Sequence, residues 1–219
     1  MPAATFWWAR SGNYNLNSDR YLVTAQSLSS HPMVTLGSVC GICDGDHQAP
    51  PKSNEGVPFV TISNIDQQNR LDFRKTFFVP KEYFNQISPK RRPQKGDCLY
   101  SVTGSFGITV FVDTDRDFCF QRHISLIRPG PDIFPKYLYF ILSSDSTLEQ
   151  AKKAATGIAQ KTVSLGSLRD FFIPLPPLEV QHQIVAEIEG YQQEIANCEF
   201  ERNNRRYSEQ GLGLRRCRA

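Results

Sequence analysis

Two kinds of sequence meet in the stretch TGIAQKTVSLGSLRDFFIPLPPLEVQ, residues 156–181. Before it, the chain is rich in aromatic and β-branched residues and is interrupted by Gly and Pro. After Pro177 no proline follows, and the pattern is helical to about Tyr207. The stretch therefore predicts a polar loop at Gly157, a short apolar strand at 171–173 and a long helix after Pro177. Proline suits a helix start because its missing amide hydrogen would have no partner there.

Upstream of this stretch, short aromatic and β-branched runs separated by Gly and Pro are typical of strands joined by turns. The segment from Gly41 to Pro51 is predicted to be a loop. The pattern indicates an α+β fold, in which a mixed, largely antiparallel sheet domain with small helices precedes a long C-terminal coiled-coil-forming helix. The predicted strands are 57–62, 76–79, 97–102, 108–112 and 119–128, and the predicted helices are 134–142 and 146–155.

The charge of the chain is unevenly distributed. Over 219 residues the formal net charge is +3, but residues 201–219 hold six Arg against two Glu, leaving 19 basic and 20 acidic residues elsewhere. Any attraction of the body for nucleic acid must therefore come from local patches. No apolar run of 18 residues occurs, and Trp7-Trp8 lies in a polar context, so neither a membrane span nor a secretory signal is predicted.

Of the six cysteines, only Cys40 and Cys43 are close in sequence. A four-ligand zinc site would need a second Cys or His pair, which His47 alone does not supply. We therefore expect no metal and no cofactor, and ordinary reduced thiols in a cytoplasmic protein. The alternative is a small thiol reductase using this pair, but the expected strand before it and helix after it are missing from the pattern.

The helix after Pro177 carries an apolar stripe with the a/d spacing of a coiled-coil seam. Residues 178–206 would extend about 43 Å as a helix. Such a stripe is covered either by folding back on its own domain or by pairing with another helix, and we hypothesise that two copies of the chain pair through it. The stripe residues are Ile184, Ile188, Tyr191 and Ile195, with Cys198 next.

Two polar regions are candidates for contact with nucleic acid. A basic loop between two prolines could neutralise DNA phosphates, although a solvated loop explains the same composition. A glycine turn and the polar loop at 156–162 could offer side chains to base edges, since Gln pairs with adenine and Lys with guanine. The candidate phosphate contacts are Lys90, Arg91, Arg92 and Lys95, and the candidate base contacts are Thr103, Ser105, Gln160 and Lys161.

We predict no catalytic residue. The four His are scattered and assemble no nucleophile–base set, and His123 is expected to be a hydrogen-bonded strand residue. A nuclease motif at Pro131-Asp132 fails because Glu149 and Lys152 are one residue too far apart to share a strand face. The chain also lacks the Asn/Asp-Pro-Pro-Tyr/Phe motif and the glycine-rich cofactor loop of an adenine methyltransferase.

Five motifs resemble type I restriction specificity subunits (HsdS) in order and spacing, over roughly residues 33–190. That family usually has two target-recognition domains and two conserved helices, and this chain resembles one half of it. The motifs are Gly96-Asp97 with Ser101-x-Thr103-Gly104-Ser105-x-Gly107, Gln121-Arg122-His123-Ile124-x-Leu126, Tyr137-Leu138, Thr156-Gly157-x-Ala159-Gln160, and Pro174-x-Pro176-Pro177-Leu178-Glu179-x-Gln181.

The resemblance implies a non-catalytic, sequence-specific DNA-binding subunit that reads one half of a split site and docks methyltransferase (M) subunits. A restriction (R) subunit is a further implied partner. The implied domains are a target-recognition domain at 33–176 and a spacer and dimerisation helix at 177–207. The composition of the last residues separately predicts a disordered tail at 208–219. Residues 13–21 are similar to the segment that closes the methyltransferase subunits, so 1–32 is expected to be an extension of that kind.

A rival interpretation is a truncated or regulatory fragment that binds methyltransferase without recognising DNA. The similarity of residues 13–21 to a methyltransferase tail and the Arg-rich end of the chain both favour it. Specific DNA binding would separate the two interpretations.

Overall fold

The computed structural model describes residues 31–46, 50–158 and 160–216, with side chains on the last helix placed as far as Arg202 and again at Asn204. The predicted extension at 1–32 lies outside the described residues except for its last two. The final three residues of the predicted tail also lie outside them.

Short strands alternate with short helices until one long helix ends the chain. The strands are β1 (Met33–Thr35), β2 (Cys40–Asp44), β3 (Val57–Val60), β4 (Phe77–Val79), β5 (Cys98–Ser101), β6 (Thr109–Phe111), β7 (Cys119–Phe120), β8 (Ile124–Pro129) and β9 (Phe172–Pro174). The helices are α1 (Leu36–Val39), α2 (Lys81–Gln86), α3 (Pro135–Leu142), α4 (Asp145–Ala154), α5 (Leu165–Arg169) and α6 (Leu178–Arg216).

The strands form three small sheets. A four-stranded sheet has the order β2-β8-β5-β6 and is antiparallel throughout. A three-stranded sheet has the order β4-β3-β7, in which β3 and β7 are parallel. The strands β1 and β9 form an antiparallel pair that joins the two ends of the domain. This arrangement confirms the predicted α+β class with a mixed, largely antiparallel sheet.

The four-stranded sheet has apolar side chains packed on both faces, because successive residues of a strand point in opposite directions. On one face Cys98, Tyr100 and Ile127 contribute to a core that includes Tyr137, Leu138 and Ile141 of α3. On the other, Leu99, Val110 and Leu126 contribute to a core that includes Val60, Phe118 and Phe120. The sheet therefore lies between the helical layer and the smaller sheet.

Two sequence predictions were wrong in ways that matter for the site. The predicted loop from Gly41 to Pro51 begins as strand β2, which pairs along its whole length with β8. The predicted strand 119–128 is divided, because Gln121 donates its amide to Val60 of the small sheet while Ile124 starts pairing with β5. Both errors concern long-range pairing, which local sequence does not encode.

A buried ion pair joins β5 to β8 and fixes the preceding basic loop. Asp97 is almost fully buried and accepts hydrogen bonds from Nε and Nη2 of Arg128, at 2.9 and 2.7 Å. The same guanidinium donates to the carbonyl of Arg92 at 2.7 Å, and the Asp97 carboxylate accepts from the Gln94 amide at 2.8 Å. The Asp97–Arg128 pair therefore helps to fix the path of residues 92–97.

Helix α6 begins directly after Pro177 and is docked on the domain by Gln181. This side chain is fully buried. Its Oε1 accepts from the Phe134 amide at 2.7 Å, and its Nε2 donates to the carbonyls of Asp132 and Pro176 at 2.9 and 2.8 Å. One amide thus joins the start of α3, the proline linker and the long helix.

The long helix has a docked part and a projecting part. Val185 and Ile188 are buried in the domain core, and Lys136 pairs with Glu189 at 2.8 Å. Beyond Glu189 the described side chains are exposed, apart from the half-buried Ile195. The first turns of the helix therefore fold back on the domain, as one of the two alternatives stated. Pairing of the exposed remainder with another helix stays a prediction.

The helix continues to Arg216, nine residues beyond the predicted end at Tyr207 and through most of the predicted disordered tail. Its 39 residues correspond to a length of about 58 Å. Glycine inside a helix costs only about 1 kcal/mol, so Gly211 and Gly213 are weaker stop signals than proline. Among the described residues, no helix is both long and apolar enough to cross a membrane.

Replacing Gln181 with Met should lower the free energy of unfolding by about 2–3 kcal/mol, because three backbone groups lose the buried side chain that pairs with them. Denaturant unfolding measures the effect. Gln183→Met, two residues away on the exposed side of the helix, is the matched control and should leave stability unchanged. Equal stabilities for the two variants would show that the buried amide does not hold the helix.

Candidate nucleic-acid interface

The glycine turn after β5 and the polar loop after α4 lie side by side. The Gly104 amide donates to the Lys161 carbonyl at 3.0 Å, and the Val163 amide donates to the Val102 carbonyl at 2.9 Å. These bonds extend β5 into a short ribbon with residues 161–163. Two loops separated by more than fifty residues in sequence therefore form one surface.

The loop at 156–162 is closed at its base by hydrogen bonds in both directions. The Thr156 amide donates to Thr162 at 3.0 Å, and the Thr162 amide donates back at 2.8 Å. Gly157 has a φ of +109°, and a β-carbon there would collide with the carbonyl oxygen of Gln160. Only glycine fits this position without strain. The backbone conformation therefore explains why the Thr-Gly motif has glycine at residue 157.

An open groove of about 320 Å³ lies beside the two loops. Its polar side chains include a guanidinium, an imidazole, an amide, a carboxylate and several hydroxyls, so it presents both donors and acceptors. Such a mixture matches the hydrogen-bonding edges of nucleic-acid bases. The groove is lined by Asp44, Thr103, Arg122, His123, Gln160, Thr162 and Ser164, together with the apolar residues Val102, Val163 and Leu165.

Arg122 and His123 enter the groove because the strand predicted at 119–128 is broken by a turn. The Arg122 amide donates to the Asp46 carbonyl at 3.1 Å, and the His123 carbonyl accepts from Val102 at 2.9 Å. The Arg122 side chain is exposed. A continuous strand would have placed it on the apolar face with Phe120. The signal in the sequence is the polar triplet Gln-Arg-His between two apolar runs.

Two of the predicted phosphate contacts are engaged within the chain. Arg91 donates to the carbonyls of Asp44 and Gly45 and lies 3.6 Å from the Asp46 carboxylate. Arg92 donates to the carbonyls of Ile87 and Asn85, at 2.9 and 2.8 Å. Its guanidinium also lies 4.8 Å from the centre of the Phe84 ring. Both side chains therefore shape the loop that carries them.

The other two basic residues of this loop are exposed. Lys95 lies 3.7 Å from Asp115 in a solvent-accessible pair. The carbonyl of the exposed Lys90 accepts a hydrogen bond from the Cys43 thiol at 3.4 Å, which places this end of the loop next to Asp44 at the groove. Of the four predicted phosphate contacts, Lys90 is thus an exposed residue whose backbone contacts Cys43, one residue along β2 from the groove-lining Asp44.

The predicted base contacts separate into two groups. Thr103 and Gln160 both line the groove, and the exposed Lys161 follows directly. Ser105 is exposed in the glycine turn, where its carbonyl accepts from Ser101 Oγ at 2.7 Å. The structure therefore brings together three of the four residues and adds Arg122, His123 and Ser164 to them.

The Cys40 and Cys43 thiols do not face one another. They are three residues apart in strand β2, so they lie on opposite faces of the sheet. Burial raises the pKa of Cys40 to about 12, and burial also raises the pKa of Cys43, although Arg91 opposes that shift. Within the described part of the chain, no group of three or more His, Cys, Asp or Glu side chains is placed to hold a metal ion.

The sequence matches the family profile described as "Type I restriction modification DNA specificity domain" over residues 31–205. The chain belongs to this family. The match includes both groove loops, the proline linker and most of the helix. It extends the resemblance noted in the sequence, which reached roughly residue 190.

The chain is also similar to individual proteins of type I restriction-modification systems. The type I restriction enzyme EcoBI specificity subunit of Escherichia coli is 27% identical over 149 residues, which cover 68% of this chain and 31% of that protein. A chain from a structural study of complex assembly and conformational transition in the type I R-M system is similar with a TM-score of 0.62 and 26% identity. That similarity covers 83% of this chain and 43% of the other.

The HsdS subunit from Thermoanaerobacter tengcongensis is similar with a TM-score of 0.57 and 28% identity, over 76% of this chain and 38% of that one. This chain spans about a third of the length of the curated relatives it matches. It also spans about two fifths of these solved structures.

The buried thiols should be unreactive at neutral pH. A raised pKa depletes the thiolate, which is the reactive form, so reactivity grows only as pH rises toward the folded-state pKa, about 12 for Cys40 and Cys119. In maleimide labelling at pH 7.5 followed by peptide mass spectrometry, the exposed Cys198 should react before the other cysteines that the structure describes. Unfolding in guanidinium is the control and should expose every thiol. Fast labelling of Cys40, or a Cys40–Cys43 disulfide, would instead support the thiol reductase.

Proposed function

We propose that this chain is a non-catalytic DNA-recognition module of a type I restriction-modification system, reading one half of a split DNA site in the cytoplasm. The observation that carries the proposal is the groove, where two loops distant in sequence are joined by backbone hydrogen bonds. These loops bring Thr103 and Gln160 together, and the turn between β7 and β8 adds Arg122. Membership of a DNA specificity family supports DNA as the ligand of this groove.

The chemistry of the groove suits the major groove of DNA. Arg can donate two parallel hydrogen bonds to guanine, and Gln can pair with both polar atoms of the adenine edge. Arg122 and Gln160 are the candidates for these roles, and Lys161 extends the same edge with a positive charge. The hydroxyls of Thr103 and Ser164 can serve as either donor or acceptor.

Binding also requires contacts that position the protein on the DNA backbone. Lys90 is the first candidate of the basic loop for a phosphate contact, because it is exposed and its backbone contacts Cys43, the residue before the groove-lining Asp44. Lys95 is a more distant candidate. Arg91 and Arg92 contribute indirectly, because their hydrogen bonds to the chain hold the loop in place. A preorganised loop loses less conformational entropy on binding.

The projecting part of α6 is proposed to pair with the same helix of a second copy and to dock methyltransferase subunits. Ile188 is buried in its own domain and Ile184 is partly buried there, so neither is free for a partner. The stripe that remains exposed to a partner begins at Tyr191 and Ile195. Because Gln181 fixes the direction of the helix, two paired copies would hold their grooves at a set separation.

The proposal predicts different effects for residues that contact bases and for residues that contact DNA phosphates. In shift assays with methyltransferase subunits and a duplex selected from a random pool, Arg122→Ala or Gln160→Ala should weaken binding about 5- to 150-fold. Binding to random DNA should stay unchanged. Lys90→Ala should weaken both kinds of binding alike and lower the slope of log affinity against log salt by about 1.

Arg74→Ala is the control for loss of positive charge, since Arg74 is an exposed residue paired with Asp72 in its own turn. Arg74→Ala should bind the selected duplex with the same affinity as the wild type. A chain that binds methyltransferase subunits but shows no preference among duplexes would support the regulatory-fragment interpretation instead.

Pairing through α6 should be lost when charges are placed on the exposed stripe. Equilibrium sedimentation of the wild type should give twice the chain mass of 24.9 kDa, and Tyr191→Asp with Ile195→Asp should give the single mass. Gln193→Asp with Ala196→Asp adds the same charge away from the seam and should leave the dimer intact. A wild type that sediments as a monomer at every concentration would refute the pairing.

A further inference from the structure

Ile158 is held fully in solvent, with a relative exposure of 108%. Single exposed apolar side chains are common on proteins, so exposure alone does not mark a contact. Here, however, the residue sits on a loop whose base is closed by two hydrogen bonds between Thr156 and Thr162. Its neighbour Gly157 adopts a backbone conformation that other residues rarely take. The exposed position is therefore built into the loop.

The loop that carries Ile158 borders the proposed reading groove. Gln160, two residues further on, lines the groove, and Lys161 is joined by its carbonyl to Gly104 of the facing turn. The loop is closed at its base and borders the groove, so Ile158 and Gln160 lie two residues apart on the same short loop. A loop that placed Gln160 at a base edge would carry Ile158 into the same DNA groove.

We propose that Ile158 reads thymine by packing against its 5-methyl group in the major groove. This inference rests on the proposed DNA-reading function and adds an apolar contact to the polar ones. The thymine methyl is the apolar feature that distinguishes the bases in that groove. Isoleucine is β-branched and restricted at χ1, so it loses little side-chain freedom on contact.

The test removes first the thymine methyl group and then the Ile158 side chain. The full chain, bound to methyltransferase subunits, is assayed on its selected duplex and on duplexes in which deoxyuridine replaces one thymine at a time. Deoxyuridine lacks only the methyl group. At one position this change should weaken wild-type binding about fourfold, the value for one buried methyl-sized group. Ile158→Ala should weaken binding to the thymine duplex by a similar or larger factor, up to about tenfold.

The two changes should not add, because each removes the same contact. Ile158→Ala should therefore bind the deoxyuridine and thymine duplexes equally at that position, while Ile158→Val keeps part of the preference. Since Ile158 is exposed, thermal unfolding of both variants should match the wild type.

Specific binding that Ile158→Ala leaves unchanged, or additive losses, would overturn this inference while the proposed function stands. Loss of methyltransferase association in Ile158→Ala, with thymine preference intact, would assign the residue to a protein contact and also overturn it. A wild type without preference among duplexes would refute the proposed function, and with it this contact.

Discussion

The side-chain amide of Gln181 is the interaction on which the arrangement of the molecule depends. It is the first buried polar group of α6, and it satisfies one amide and two carbonyls from two other segments. A buried polar group that is fully paired stabilises one geometry, whereas a partly paired one is costly. The long helix therefore leaves the domain in one direction, and packing of Val185 and Ile188 extends that fixed direction by two turns.

The two loops beside the groove are likewise held in place by paired polar groups. At the end of β5, backbone groups are paired between the glycine turn and the 156–162 loop, so the two loops are held together. The Asp97–Arg128 pair holds the basic loop, because Arg128 also donates to the Arg92 carbonyl. Short, internally bonded loops on a rigid scaffold can change their side chains without altering the fold.

Several features of the candidate site could be predicted from sequence and others could not. The glycine turn, the Thr-Gly loop and Gln160 were identified because glycine and polar residues mark loops locally. Arg122 was missed because the break between β7 and β8 depends on which sheet each half joins. The charge of Arg91 and Arg92 predicts phosphate contacts, whereas their acceptors within the chain are backbone carbonyls that no sequence pattern reveals.

By itself, the sequence determined the features that follow from backbone chemistry: the helix after Pro177, the glycine-dependent loops, most strands and the family membership carried by ordered motifs. Only the tertiary structure decided that β2 is a strand, that Arg122 enters the groove and that the apolar stripe of α6 is shared between its own domain and solvent. Proline and glycine restrict the chain at their own positions, so their effects are local. Strand pairing and burial depend on residues far apart in sequence. An apolar helical stripe can pack against its own domain or against another protein, and the stripe alone does not distinguish the two.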